Sequence, residues 1–255
     1  MVLKRVFVSI FFGKGEVYMT TASIIIIGDE ILSGKFRDEN TPWLIDRCAE
    51  LHIKVQSIQI IPDEIERIAS TVREESKRSR YVFTTGGVGP THDDLTFLGV
   101  ATAFGQKLKR NDVLAKLIKA WFKNPTEDAY LMAMIPEHSR LIPTTDRMFP
   151  QVVVENVYVF PGVPKLLKRK FNQCIGELEG KVVYRDKIGF IADETDIAGV
   201  LREIQEKNLD VSLGSYPRYG ERPSLQLTID AYDEARVQEV RALLHAAFRE
   251  LYFEN

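Results

Sequence analysis

Apolar positions along this chain repeat with two spacings, and the alternation between them lays out a fold. The run from Ala22 to Gly28 suits a strand buried on both faces, whereas Asn40 to Leu51 places Leu44, Cys48 and Leu51 on one side of a helix. Val55 to Ile61 predicts a second strand. Pro62-Asp63-Glu64 then opens a helix that turns Ile65, Ile68, Ala69 and Val72 inward, leading to a third strand over Tyr81 to Thr84. Leu95, Leu98 and Phe104 suit the helix that follows. Such alternation of strand and helix implies a parallel sheet with helices packed on it.

The pattern continues with a helix over Asn111 to Phe122, whose Val113, Leu114, Leu117, Ile118 and Trp121 read as core rather than as a cofactor wall. Two short strands, Val152 to Val154 and Val157 to Phe160, precede Pro161-Gly162-Val163-Pro164. After them Leu166, Leu167, Lys170, Phe171 and Cys174 mark another helix. A new unit is expected near Lys181, which puts the domains at residues 20–178 and 179–255. Its elements are a strand over Val182 to Ile188, a helix over Glu194 to Lys207, a strand pair at Val211 to Gly214 and Leu225 to Ile229, and a helix over Glu234 to Leu251. That is a small α+β module whose apolar helix faces need a cover.

A chain of 255 residues can build one large domain or a medium one plus a small one. The net charge of −2 supplies no field for nucleic acid or anionic lipid. No apolar run reaches the ~18 residues that a membrane span needs. Cys48 and Cys174 fall on apolar helical faces and read as small core residues in a reducing compartment. His52, His92, His138 and His245 show no metal-ligand spacing. Residues 1–19 stand apart: Lys4, Arg5 and Lys14 flank an apolar run, and no acid occurs before Glu16. They read as an extension or a mitochondrial leader, so the expected location is cytoplasmic, or mitochondrial if they act as a leader.

The densest chemistry lies in TTGGVGPTHDDLT, Thr84 to Thr96. Gly86, Gly87 and Gly89 let a turn after the third strand take positive φ and bring backbone amides close to a phosphate or carboxylate. Asp93 and Asp94 offer the oxygens that a hard divalent cation takes, although either side chain also suits a helix cap. Two further acidic groups follow strands: Gly28-Asp29-Glu30 after the first and Pro62-Asp63-Glu64 after the second. If the first strand lies between the second and third, all three loops meet at the carboxyl edge where the strand order switches, the usual ligand crevice of open α/β sheets. Carboxylates crowded there raise one another's pKa unless a cation is present.

These residues carry a family resemblance. GDEILSGKFRDEN (Gly28 to Asn40), IPDE (Ile61 to Glu64), TTGGVGPTHDDLT and FPGVP (Phe160 to Pro164) resemble the molybdopterin-binding fold of MoaB/Mog-type molybdenum-cofactor biosynthesis proteins. From Ala22 to about Leu244 the chain resembles competence-damage-inducible protein A (CinA) and, most of all, the N-terminal domain of eukaryotic FAD synthase. ENVYVFPGVP (Glu155 to Pro164) and LGSYPRYG (Leu213 to Gly220) carry that narrower match. The resemblance implies a three-layer α/β/α domain with a mixed, mostly parallel sheet, followed by a small α+β domain of KH-like topology.

It also implies an activity: hydrolysis of a nucleotide pyrophosphate, of FAD or ADP-ribose type, to AMP and a second monophosphate, with Mg, Mn or Co as the divalent metal. Asp63 and Asp94 match the family's two active-site aspartates. Gly86, Gly87, Gly89 and Thr91 match its anion loop, and Asn40 joins the nucleotide-binding set. Asp29, Asp93 and Asp94 are the expected metal ligands, with Asp63 as base. Two readings of the Gly214 to Pro223 loop stand side by side: Tyr216, Arg218, Tyr219 and Arg222 stack a ring and clamp a phosphate, or they form a surface hairpin. The CinA group's Asn-Pro-x-Gly-Thr-Ala-Pro-Gly segment is replaced by PTTDRMFP (Pro143 to Pro150), which leaves substrate choice open. With the chain ending at Asn255, FAD synthesis by this polypeptide alone is not expected. The expected partner is a small dinucleotide or pterin rather than nucleic acid or membrane, and a homo-oligomer is compatible. Two other readings are a regulatory pterin- or flavin-nucleotide-binding module and a molybdopterin adenylyltransferase.

Overall fold

The computed structural model describes residues 20–143, 149–218, 220 and 223–251. Residues 1–19, most of PTTDRMFP, Tyr219 and Arg222 therefore lie outside the described residues. The chain divides after Gly180 into two compact units.

In the first unit the elements are β1 (Thr21–Ile27), α1 (Asp29–Leu32), α2 (Asn40–Glu50), β2 (Lys54–Ile61), α3 (Ile65–Arg78), β3 (Tyr81–Thr85), α4 (Thr96–Ala103), β4 (Leu108–Arg110) and α5 (Asp112–Trp121). They are followed by β5 (Met134–Pro136), β6 (Arg140–Ile142), β7 (Gln151–Val154), β8 (Val157–Phe160) and α6 (Pro164–Cys174). Six strands form one sheet in the order β2-β1-β3-β8-β7-β6. The pairs β2/β1, β1/β3 and β3/β8 are parallel, while β7 runs antiparallel to both its neighbours. This is the three-layer fold with a mixed, mostly parallel sheet that the motif order implies, and β1 does lie between β2 and β3.

Strand alternation splits the apolar side chains between the two faces. Ile25, Ile27, Val82, Val152, Val154, Val157 and Val159 pack with Ile68, Ala69 and Val72 of α3, Val100 of α4, and Leu114 and Ile118 of α5. Ala22, Ile24, Ile26, Phe83, Val153 and Phe160 pack on the other face with Leu44 and Cys48 of α2 and Leu167, Phe171 and Cys174 of α6. Phe83 anchors that layer, with its ring 5.5 Å from Phe171 and 6.0 Å from Phe160. A fully buried aromatic of this kind contributes ~3 kcal/mol through burial.

Three apolar expectations are corrected. Leu98, Val113 and Trp121 are exposed rather than core: α4 and α5 are covered along a narrow stripe, and the residues flanking it face outward. Phe104 caps α4 from outside the helix.

The second unit contains β9 (Tyr184–Phe190), α7 (Glu194–Lys207), β10 (Val211–Pro217), β11 (Leu225–Ala231) and α8 (Glu234–Ala247), with an antiparallel sheet in the order β10-β11-β9. Ile188, Phe190, Leu225, Leu227 and Ile229 form its core with Ile197 of α7 and Val237, Val240 and Leu244 of α8. The last helix ends at Ala247, short of the expected Leu251, because Phe248 leaves helical geometry and turns into the core.

Candidate functional site

Three strand ends set the site. Gly86, directly after β3, has φ +106°, and its amide donates to the Phe160 carbonyl at the end of β8 (3.2 Å). A Cβ at Gly86 would stand 2.0 Å from the Ile27 carbonyl oxygen at the end of β1, so only glycine lets the turn pass there. Thr96, at the start of α4, fastens the turn from behind: its hydroxyl donates to the Gly86 carbonyl (2.7 Å) and its amide to the Gly87 carbonyl (3.0 Å).

Asn40 stitches the neighbouring loop to this turn. Its side-chain amide donates to the Gly162 carbonyl (2.7 Å) and to Thr85 Oγ1 (3.0 Å), and the Thr85 hydroxyl donates to the Pro161 carbonyl (3.2 Å). Asn40 Oδ1 is buried and has no hydrogen-bond partner among the described residues.

Asp63 is the carboxylate that the topology brings to the rim. It does not cap α3; that helix starts after Glu64 with no side-chain cap. Instead Asp63 Oδ2 accepts the Asp29 backbone amide at 3.0 Å, and its Oδ1 lies against Gly87, 3.2 Å from where a Cβ would be. Partial burial raises the Asp63 pKa above the ordinary 3.8, the Asp29 amide opposes that rise, and the negative charges of Asp29, Glu30 and Asp93 add to it. Asp93 moves the other way, held below the ordinary range first by hydrogen bonding to Thr91. The two carboxylates are thus shifted in opposite directions, Asp63 by partial burial and Asp93 by hydrogen bonding.

Asp94 is bonded within the turn. Its Oδ1 accepts the Gly89 amide (2.6 Å) and its Oδ2 the Thr91 amide (2.8 Å), with the Thr91 hydroxyl shared between it and Asp93. Asp94 therefore shapes the turn, and the amides of Gly89 and Thr91 point at it rather than at an incoming anion. Asp29 contributes its amide to Asp63. Among the described residues, no group of three or more His, Cys, Asp or Glu side chains is disposed to hold a metal ion.

Beside this rim opens a cavity of about 1010 Å³. Gly86, Gly87, Gly89, Asp93, Asp94 and Asn40 line it, whereas Asp29, Asp63 and Thr91 are not among its lining residues, Asp63 lying behind Gly87. Tyr216 and Arg218 belong to the second unit, where Tyr216 is exposed at the end of β10 and the Arg218 amide donates to the Ser224 carbonyl at 2.7 Å.

The sequence reading missed one wall. Phe97, Trp121, Phe122, Met132 and Phe149 line the cavity, with the Trp121 and Phe149 rings edge to face at 4.7 Å. So does Lys170, whose Nζ donates to the Pro150 carbonyl at 2.8 Å. Lys170 left a visible signal, a cation set in the apolar stripe between Leu167 and Cys174. Trp121 left none, since an aromatic at the end of an amphipathic helix is ordinarily core.

Comparison with known proteins sets this geometry in context. Residues 23–180 match the model of a probable molybdopterin binding domain, and residues 182–255 that of the middle domain of FAD synthase. A probable FAD synthase of Caenorhabditis briggsae is 33% identical over 256 residues, covering 88% of this chain and 49% of that protein. A protein of Archaeoglobus fulgidus is 34% identical over 200 residues, covering 77% of this chain and 86% of its own length. The chain thus spans about half the length of the FAD synthase relatives it matches. Among solved structures, the CinA protein of unknown function from Thermoplasma acidophilum aligns with a TM-score of 0.58 at 27% identity, covering 62% of this chain and 98% of that one.

Proposed function

Because the chain belongs to the molybdopterin-binding-domain family over residues 23–180, joined to an FAD synthase middle domain, we propose that it hydrolyses the diphosphate of a nucleotide such as FAD or ADP-ribose. The products are AMP and a second monophosphate. The observation that carries this reading is Asp63: a carboxylate of raised proton affinity, held by the Asp29 amide against Gly87, which lines the cavity.

Each part of the rim has a task in that reaction. In the turn Gly86 to Gly89 three of the four residues are glycines, which lets its backbone come close to the diphosphate. Asp63, orientated by Asp29, takes the proton of the attacking water. The aromatic wall around Trp121 and Phe149 receives a ring system, and its volume suits a ligand of dinucleotide size. Asn40 Oδ1 offers a buried acceptor to a ligand N–H or O–H.

The carboxylates close no metal site by themselves among the described residues, and Asp93, exposed on the turn, would be the side chain to hold a hard divalent cation brought in with the diphosphate. When bound, such a cation would offset the crowding of negative charge and polarise the diphosphate.

The test is incubation with FAD, ADP-ribose and related dinucleotides plus Mg²⁺, Mn²⁺ or Co²⁺, followed by chromatography of the products. AMP release from at least one substrate supports the proposal. A second reading, a binding module without chemistry, draws on the engagement of both Asp94 oxygens within the loop. Tight binding with no AMP from any substrate and metal would favour it.

A further inference from the structure

Lys170 lies where burial and chemistry disagree. It sits on α6 between the buried Leu167 and Phe171 on one side and the cavity on the other, and its ammonium makes one hydrogen bond, to the Pro150 carbonyl. An ammonium has three protons to donate, and among the described residues no carboxylate pairs with it. Charges removed from water are ordinarily paired, because an uncompensated one is costly.

Among the described residues, the elements packed on α6 offer it no bonded carboxylate. Of the strands packed against α6, β7 (Gln151–Val154) carries no ionisable side chain and β8 (Val157–Phe160) only Tyr158. On α6 itself Cys174 faces it, with Sγ donating to the Lys170 carbonyl at 3.2 Å. The cavity's other charged lining residues are Glu30, Arg37, Asp38, Glu39, Asp93, Asp94 and Arg169. Burial pushes the Lys170 ammonium down to about 8, and the Cys174 side chain opposes that shift only weakly.

We infer that Lys170 is the anchoring cation of a second anion subsite in this cavity, one that takes a phosphoryl oxygen of the ligand and so supplies the counter-ion that Lys170 lacks among the described residues. This rests on the reading that the cavity holds a nucleotide diphosphate. It divides the cavity's labour: the glycine turn offers backbone to one phosphoryl group, and Lys170 a point charge to the other. The turn alone is poorly equipped for two, since the amides of Gly86, Gly89 and Thr91 already serve Phe160 and Asp94.

A pH signature follows. An ammonium that gains an anionic partner binds its proton more tightly, so the ligand is held best below about 8 and is released as pH rises past it. ADP-ribose is a suitable probe because its diphosphate does not titrate near neutrality.

The experiment is calorimetric titration of ADP-ribose into the full chain in EDTA, which suppresses turnover, across pH 7 to 9.5, for wild type, Lys170→Met and Lys170→Arg. Wild type should bind with proton uptake near pH 8 and lose affinity above it. Lys170→Met should bind about tenfold more weakly at pH 7, the worth of one charge-assisted hydrogen bond, with a flat pH profile. Lys170→Arg should keep most of the affinity and lose the pH dependence. Melting curves confirm that each variant is folded. Equal affinity in wild type and Lys170→Met, or a pH-independent wild type, overturns the Lys170 inference and leaves the proposed hydrolysis standing. No ADP-ribose binding by wild type likewise overturns the Lys170 inference, and the product assay with metal then decides the hydrolysis on its own.

Discussion

Replacing Gly86 by alanine perturbs the one residue at which three strand ends interlock. Its φ of +106° lies where L side chains are rarely found, a cost of ~1–2 kcal/mol. The added methyl would also stand 2.0 Å from the Ile27 carbonyl oxygen, which is backbone and must move with β1. Overpacking of that kind costs a further ~1–3 kcal/mol. The sum, about 2–5 kcal/mol, corresponds to a fall in melting temperature of roughly 10 °C for a unit of this size. Gly105→Ala is the internal control: its φ is also positive, +64°, but nothing lies within 4 Å of the new Cβ, so about 1 kcal/mol and ~3 °C are expected. Differential scanning calorimetry of both variants against wild type reads the difference. If Gly86→Ala melts within 2 °C of wild type, or no lower than Gly105→Ala, the interlocking of β1, β3 and β8 at Gly86 is refuted.

Other outcomes follow from the same coordinates. Glu75 on α3 is 1% exposed and accepts hydrogen bonds from Ser23 and from Gln59 (2.8 Å), so Glu75→Ala should cost ~3 kcal/mol in urea unfolding by stranding those donors; a loss under 0.5 kcal/mol would contradict this. Burial pushes the Cys48 and Cys174 thiols from 9.0 up to about 12 in the folded chain, so they should resist a thiol reagent until the protein unfolds. Because the folded values exceed the unfolded ones, their contribution to stability is complete below pH 9 and declines from there towards 12. The urea midpoint of wild type should therefore fall more steeply over that range than that of a Cys48→Ala, Cys174→Ala double variant. Gly199 sits inside α7 with open space around it, and Gly199→Ala should raise the stability of the second unit by ~0.5–1 kcal/mol. Asp63 as base requires its ionised form, so the acid limb of kcat/KM should lie above 3.8, and Asp63→Asn should abolish it.

Much of this fold is legible in the chain because its strands are buried on both sides. Continuous apolar runs such as Ile24 to Ile27 and Val157 to Phe160 have few other uses, and the helix stripes between them keep strict spacing. The crevice was equally legible, since glycines and acids after consecutive parallel strands must gather at one edge. What the chain conceals is how a carboxylate spends its lone pairs. Asp93 and Asp94 are neighbours of one type, yet Asp94 turns inward to the amides of Gly89 and Thr91 while Asp93 stays exposed. Trp121 was hidden for a similar reason: it fits a helical stripe, and only the tertiary packing opens a cavity beside it.

The central claim is that diphosphate chemistry occurs where Asp63 meets the glycine turn. The most direct test is the rate of AMP release from FAD or ADP-ribose by wild type and by Asp63→Asn, each with its folding checked by melting. Loss of one positioned base predicts a fall of about 10²–10⁴-fold in kcat with the folded state intact. Equal rates in the two proteins would place the chemistry elsewhere and contradict the account.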